Sequence, residues 1–195
     1  MKQDEWMFYK GKQISFEVPE GVNLPIYVIG DSHVRVLPEA CPQIFRSSQT
    51  DIADVFESKS AYAIGAVNHD TYLKEALQRI PDGSQALLSF GEIDCRHYIP
   101  KHARERDKSI EEMVDEVFVR YTSNCVRLLK AKFRVILMGV YVCPEDHFHV
   151  NALQDIKIAK QILNDKLEEH SVEHGLLFVP LGKKALKEGW DEKKY

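Results

Sequence analysis

The sequence is short of paired cysteines. Four occur in 195 residues, Cys41, Cys95, Cys125 and Cys143, and none stands in a Cys-x-x-Cys spacing. A zinc ribbon or dithiol redox motif is therefore absent, and buried or idle thiols are expected. Long apolar runs are lacking too. None approaches the roughly 18–20 residues that span a bilayer, and the opening MKQDEWMFYKGK has no apolar core of the signal-peptide kind. The expectation is a cytoplasmic chain with no membrane partner. A basic surplus is also missing: 26 Lys and Arg stand against 30 Asp and Glu, a formal net charge of -4. The one basic stretch, Lys101, His102, Arg104, Arg106 and Lys108, is interleaved with Glu105 and Asp107 and reads as a solvated loop entering a helix. Nucleic acid is not an expected partner, because its binding usually needs clustered positive charge.

What is present is an ordinary globular composition, 44% apolar and 29% charged, in a chain whose length suits one core. Unalternating apolar runs at 26–30 (IYVIG), 86–90 (ALLSF), 134–140 (RVILMGV) and 176–181 (LLFVPL) predict strands buried on both faces. Between them, apolar residues recur at helical spacing: Tyr72, Leu73, Ala76, Leu77 and Ile80; then Ile110, Met113, Val114, Val117, Phe118 and Tyr121; then Leu153, Ile156, Ala159, Ile162, Leu163 and Leu167. Strands alternating with helices imply right-handed βαβ crossovers. The predicted fold is α/β, a three-layer, doubly wound, flavodoxin-like parallel sheet in a single domain over residues 1–195. Residues 1–24 form an N-terminal extension in which QISFEV suggests an extra strand or hairpin.

In open α/β sheets ligands bind beyond the carboxyl ends of the strands. Gly30, Asp31, Ser32 and His33 follow the first run; Gly91, Glu92, Ile93, Asp94, Cys95 and Arg96 follow the second; Cys143 to His149, including His147 and His149, follow the third. Polar and ionisable side chains thus gather at three strand ends. A Ser after a strand and a tight Gly turn can open a helix whose first amides favour developing negative charge. A lone Gly-Asp-Ser, by contrast, is a common turn.

The combination is more specific. YVIGDSH, the isolated Gly65 in AYAIGAVNH, and SFGEID resemble in order and spacing the first three blocks of the SGNH/GDSL hydrolase superfamily, a likeness covering about residues 26–181. The resemblance implies Ser32 as nucleophile, Asp31 as the buttress of its turn, and the Gly65 amide as an oxyanion donor. It also implies an ester or acyl-transfer reaction on an O-acylated small molecule or saccharide, with no cofactor.

Two departures bear on activity. Ile93 stands where the third block usually carries an Asn that donates to the oxyanion, and losing one such donor costs about 3 kcal/mol of transition-state stabilisation. Arg96 is the expected replacement, with Asp94 holding Arg96 or the Ser32 turn. The second departure is the absence of the family's closing Asp-x-x-His, since no histidine follows His174. Three readings stay open: a longer natural chain, a crippled catalytic set, or a base from elsewhere, for which His147 and His149 are the candidates. Two further functions compete. The cleft can serve as a non-catalytic saccharide-binding site, because fold does not guarantee activity. Asp31-x-His33, GEIDCR and DHFH also echo a two-metal phosphoesterase, although the acidic spacing is one residue short and Asn68-His69 precedes that block rather than following it.

Overall fold

A computed structural model of the chain describes residues 4–9, 12–17, 25–31, 45–47, 60–66, 73, 77–140 and 150–180. Strands β1 (Asp4–Tyr9) and β2 (Lys12–Glu17) pair antiparallel, with Asp4 opposite Glu17 and Tyr9 opposite Lys12. The extension before residue 25 therefore contains a two-stranded ribbon.

The main sheet has five strands, β3 (Ile26–Gly30), β4 (Phe45–Ser47), β5 (Gln85–Ser89), β6 (Arg134–Met138) and β7 (Leu177–Val179). They lie in the order β4-β3-β5-β6-β7, and every neighbouring pair is parallel. The four runs predicted from the sequence are the neighbours β3, β5, β6 and β7, with ends displaced by no more than two residues. Strand β4 escaped that reading because it is a three-residue edge strand, Phe-Arg-Ser, with one apolar side chain.

Both faces of the sheet are buried, which is why these strands read as continuous apolar runs. Ile29, Ala86, Leu88, Val135 and Leu137 join the helical core on one face. Val28, Leu87 and Ile136, each one residue out of phase, point the other way and are also buried.

On the first face lie α1 (Ala61–Ile64), α2 (Ile99–Glu105), α3 (Ile110–Arg120), α4 (Arg127–Lys130) and the long α5 (Val150–Glu173). A π-helical segment, Asp94–Tyr98, leads into α2, and a second, Tyr121–Val126, joins α3 to α4. Helix α3 starts at a reciprocal cap: the Ser109 hydroxyl accepts from the Glu112 amide, and the Glu112 carboxylate accepts from the Ser109 amide. Its stripe Met113, Val114 and Val117 packs with Ile156, Ala159, Leu163 and Leu167 of α5 in one core. Both helices were predicted from their spacing. Of the earlier predicted helix, Leu73 and Ile80 are buried, and the segment between Leu73 and Leu77 lies outside the described residues.

Counting core strands alone, the order is 2-1-3-4-5, so the chain leaves β3 toward one edge and then returns past it to β5. The carboxyl ends of β3 and β5 therefore flank the topological switch point, where such sheets open a crevice.

Candidate functional site

The switch point is closed by backbone first. Asp31, the residue after β3, is 3% exposed, and its amide donates to the Ser89 carbonyl at 3.1 Å, prolonging the β3–β5 ladder by one rung. Ser32 and His33 come next in the chain and lie outside the described residues. At the end of β5, Gly91 has a φ of 118°, and a Cβ there would sit 2.8 Å from Val140 Cγ2 and 3.1 Å from Leu163 Cδ2. Only glycine meets both demands. The chain then coils at once into a helix, with the Cys95 amide donating to the Gly91 carbonyl at 2.9 Å.

Asp94 is the centre of the site. It is fully buried; its carboxylate accepts the Ala61 amide at 2.5 Å and the Tyr62 amide at 3.1 Å, and it also bonds the Ser60 hydroxyl. Ser60 itself caps α1 by accepting from the Ala63 amide at 3.0 Å. The GEID block thus supplies the acceptor for the first turn of α1. Burial pushes the Asp94 carboxyl up to about 6, against the three hydrogen bonds that favour its charge, and the nearby negative charge of Asp31 adds to the rise. Asp94 was expected to hold Arg96 or the Ser32 turn. The Arg96 role is corrected: Asp94 holds the amides of Ala61 and Tyr62, which present two donors in the geometry a carboxylate accepts.

Arg96 pairs instead with Glu92, one helical turn earlier. Its Nε lies 2.6 Å from Glu92 Oε1 and its Nη2 donates to Oε2 at 3.1 Å. The closer contact is ionic rather than a well-aligned hydrogen bond. The Glu92 side chain is 6% exposed and that of Arg96 30%, so a buried carboxylate anchors a half-buried guanidinium at the strand end.

Gly65 is tied to two neighbours. Its amide, the expected oxyanion donor, donates within α1 to the Ala61 carbonyl at 3.1 Å, and its own carbonyl accepts from Asn124 Nδ2 at 2.6 Å. A Cβ at this position would lie 2.6 Å from the Arg120 carbonyl oxygen. With φ at -77°, the residue is glycine for space rather than for conformation.

The third strand end is pinned by Asn164 of α5. Its Oδ1 accepts the Val140 amide at 2.6 Å and its Nδ2 donates to the Val140 carbonyl at 3.1 Å. His147 and His149, the candidate bases, lie outside the described residues, as does Ser32. Of the seven candidates, Asp31, Gly65, Asp94 and Arg96 are therefore placed, and all four lie on segments bonded across the switch point. Among the described residues no group of three His, Cys, Asp or Glu side chains could hold a metal ion.

The site contacts of several residues here escaped the sequence reading. Tyr121 is buried edge-on against Phe90, its phenol pushed up first by burial and further by the nearby acids Asp31 and Asp94. Tyr62 is clasped between the Arg120 guanidinium, 3.9 Å from its centroid, and the stacked ring of Tyr98 at 4.3 Å, which braces α1 against the first π-helical segment and α3. Glu92 carried a legible signal, since it stands four residues before Arg96. Asn164 carried another: it is a polar residue beside the apolar stripe of α5. The Tyr62 contacts are long-range and had none.

No family model matches this sequence, and no curated protein matches it. Among solved structures, an extracellular lipase from Streptomyces rimosus aligns over 83% of this chain and 82% of its own, at 16% identity and a TM-score of 0.40. At that score the likeness assigns neither family nor activity to this chain.

Proposed function

We propose that the chain is a serine-hydrolase-like domain of three-layer, SGNH-like architecture, acting on an O-acyl ester of a small molecule or saccharide with Ser32 as nucleophile. The observation that carries this reading is the Asp94 carboxylate on the amides of Ala61 and Tyr62: it joins the GEID block to the Gly65 block beside Asp31, the neighbour of Ser32. The Asp31–Ser89 and Asp94–Ala61 bonds link described parts of the three blocks and support this reading. The 2-1-3-4-5 strand order and the burial of both sheet faces support the architecture. The π-helical turn beginning at Asp94 is of a kind found often at functional sites.

In this mechanism the Ser32 hydroxyl attacks the ester carbonyl, a base takes its proton, and the alcohol leaves. Arg96, fixed by Glu92, offers positive charge near the developing oxyanion. A positioned base contributes about 10²–10⁴ in rate, and His147 and His149 are the proposed candidates for it. Two observations favour a second reading, binding without turnover: the Gly65 amide is engaged by Ala61, and Ile93 offers no donor. A fluorophosphonate probe separates the two. Labelling of Ser32 that disappears in Ser32→Ala, together with slow p-nitrophenyl acetate hydrolysis, supports the hydrolase. Folded protein that takes no label at Ser32 leaves the binding domain.

A further inference from the structure

At the opposite end of the molecule, where α5 runs out before β7, two histidines stand four residues apart. The rings of His170 and His174 are in contact, with centroids 4.1 Å apart and planes inclined by 59°. Side chains at i and i+4 share one helix face, which makes such a pair a ready bidentate arrangement of imidazoles. His170 is half-buried with its ring edge-on to Phe118 at 5.7 Å, while His174 is exposed. One ligand is thus held by packing and the other is free to turn.

The geometry points to a chelating site for a zinc-class divalent cation, held by the imidazoles of His170 and His174 at the carboxyl end of α5. Imidazole nitrogens bind such ions at about 2.0–2.1 Å, and neutral imidazole is the binding form. Burial first, and the neighbouring His174 second, hold His170 below its usual value. The end of a helix carries partial negative charge, here met by the Lys130 ammonium, whose Nζ donates to the His174 carbonyl at 2.8 Å and which an incoming cation must displace or tolerate. Among the described residues, the pair is faced by Phe118 from α3, Lys130 from α4 and Glu173 from α5 itself; the Glu173 carboxylate favours positive charge at His170 and Lys130 opposes it. Among the described residues no third ligand completes a set, so water fills the remaining positions and the site is expected to exchange its metal. The bound ion would tie the last turn of α5 at the point where Gly175, at a φ of 63°, turns the chain toward β7.

The test is zinc binding to the whole chain by isothermal titration calorimetry, paired with thermal melts in submillimolar zinc chloride and after addition of chelator. The expected result is one zinc equivalent that His174→Gln loses or weakens at least about tenfold, with a zinc-dependent rise in Tm that the same variant does not show. His174 is exposed, so this substitution leaves the fold intact. His170→Gln gives the same loss by removing the other ligand. A wild-type chain that binds no zinc, or a His174→Gln variant that binds the same number of ions with the same affinity, overturns the proposal.

Discussion

Asn164 holds Val140 by both ends of its backbone, accepting from the amide at 2.6 Å and donating to the carbonyl at 3.1 Å. A side-chain amide here does what a neighbouring strand would do, at the position where β6 has ended and Gly91 presses against Val140. Replacing it leaves two buried backbone groups without this partner, at about 1–3 kcal/mol each. Asn164→Ala is therefore expected to lose about 2–6 kcal/mol in urea denaturation. A loss below about 0.5 kcal/mol, the range of an ordinary surface change, contradicts the pairing.

Gly65→Ala forces a methyl into the Arg120 carbonyl, which is backbone and cannot swing aside. Overpacking of that kind costs about 1–3 kcal/mol. Because the strain falls on the contact between α1 and α3, Tyr62 should lose part of its clasp. A drop in the urea midpoint accompanied by a change in tyrosine fluorescence is the expected pair of signals; an unchanged midpoint shows that α1 is free to move away.

Asp94 makes stability depend on pH in an unusual direction. Its folded value, about 6, exceeds the ordinary carboxyl value of 3.8, so the folded state holds the proton more tightly than the unfolded one. The stabilisation is present in full below about pH 4 and is lost as the pH rises through about 6, amounting to about 3 kcal/mol. Against the wild type, Asp94→Asn should flatten that part of the stability curve. Above about pH 6, where Asp94 is ionised, the variant should lose one of the two amide bonds, since its side chain offers one acceptor. A curve of identical slope between pH 4 and pH 6 in both proteins contradicts the assignment.

The sheet was legible because its strands are buried on both faces. IYVIG, ALLSF and RVILM carry the continuous apolar character that burial demands, and α3 and α5 carry the 3.6-residue stripe of helices with one buried side. Where an element is short or lies at an edge, that signal vanishes, as at Phe45–Ser47. The strand order was not legible either. Nothing in the composition of β4 says that it pairs with β3 on the side away from β5.

For the site, the residues after each strand were readable from the rule that open sheets place function there, and Asp31, Gly65, Asp94 and Arg96 all lie on bonded segments at the switch point. Their partners were not readable. Spacing suggested Asp94 with Arg96, two residues on, yet residues two apart on a helix do not face each other, and Glu92, at i-4, does.

The sequence by itself determined the secondary-structure periods, the parallel α/β class and the strand ends at which ionisable residues collect, because these follow from local patterns of apolar and turn-forming side chains. The tertiary structure alone decided that Asp94 serves the amides of Ala61 and Tyr62 and that Gly65 is pressed against Arg120. It likewise decided that Asn164 closes on Val140. Those contacts join residues 24 to 55 positions apart, and which buried donor meets which buried acceptor is settled only when the packed helices and sheet bring them within hydrogen-bond reach.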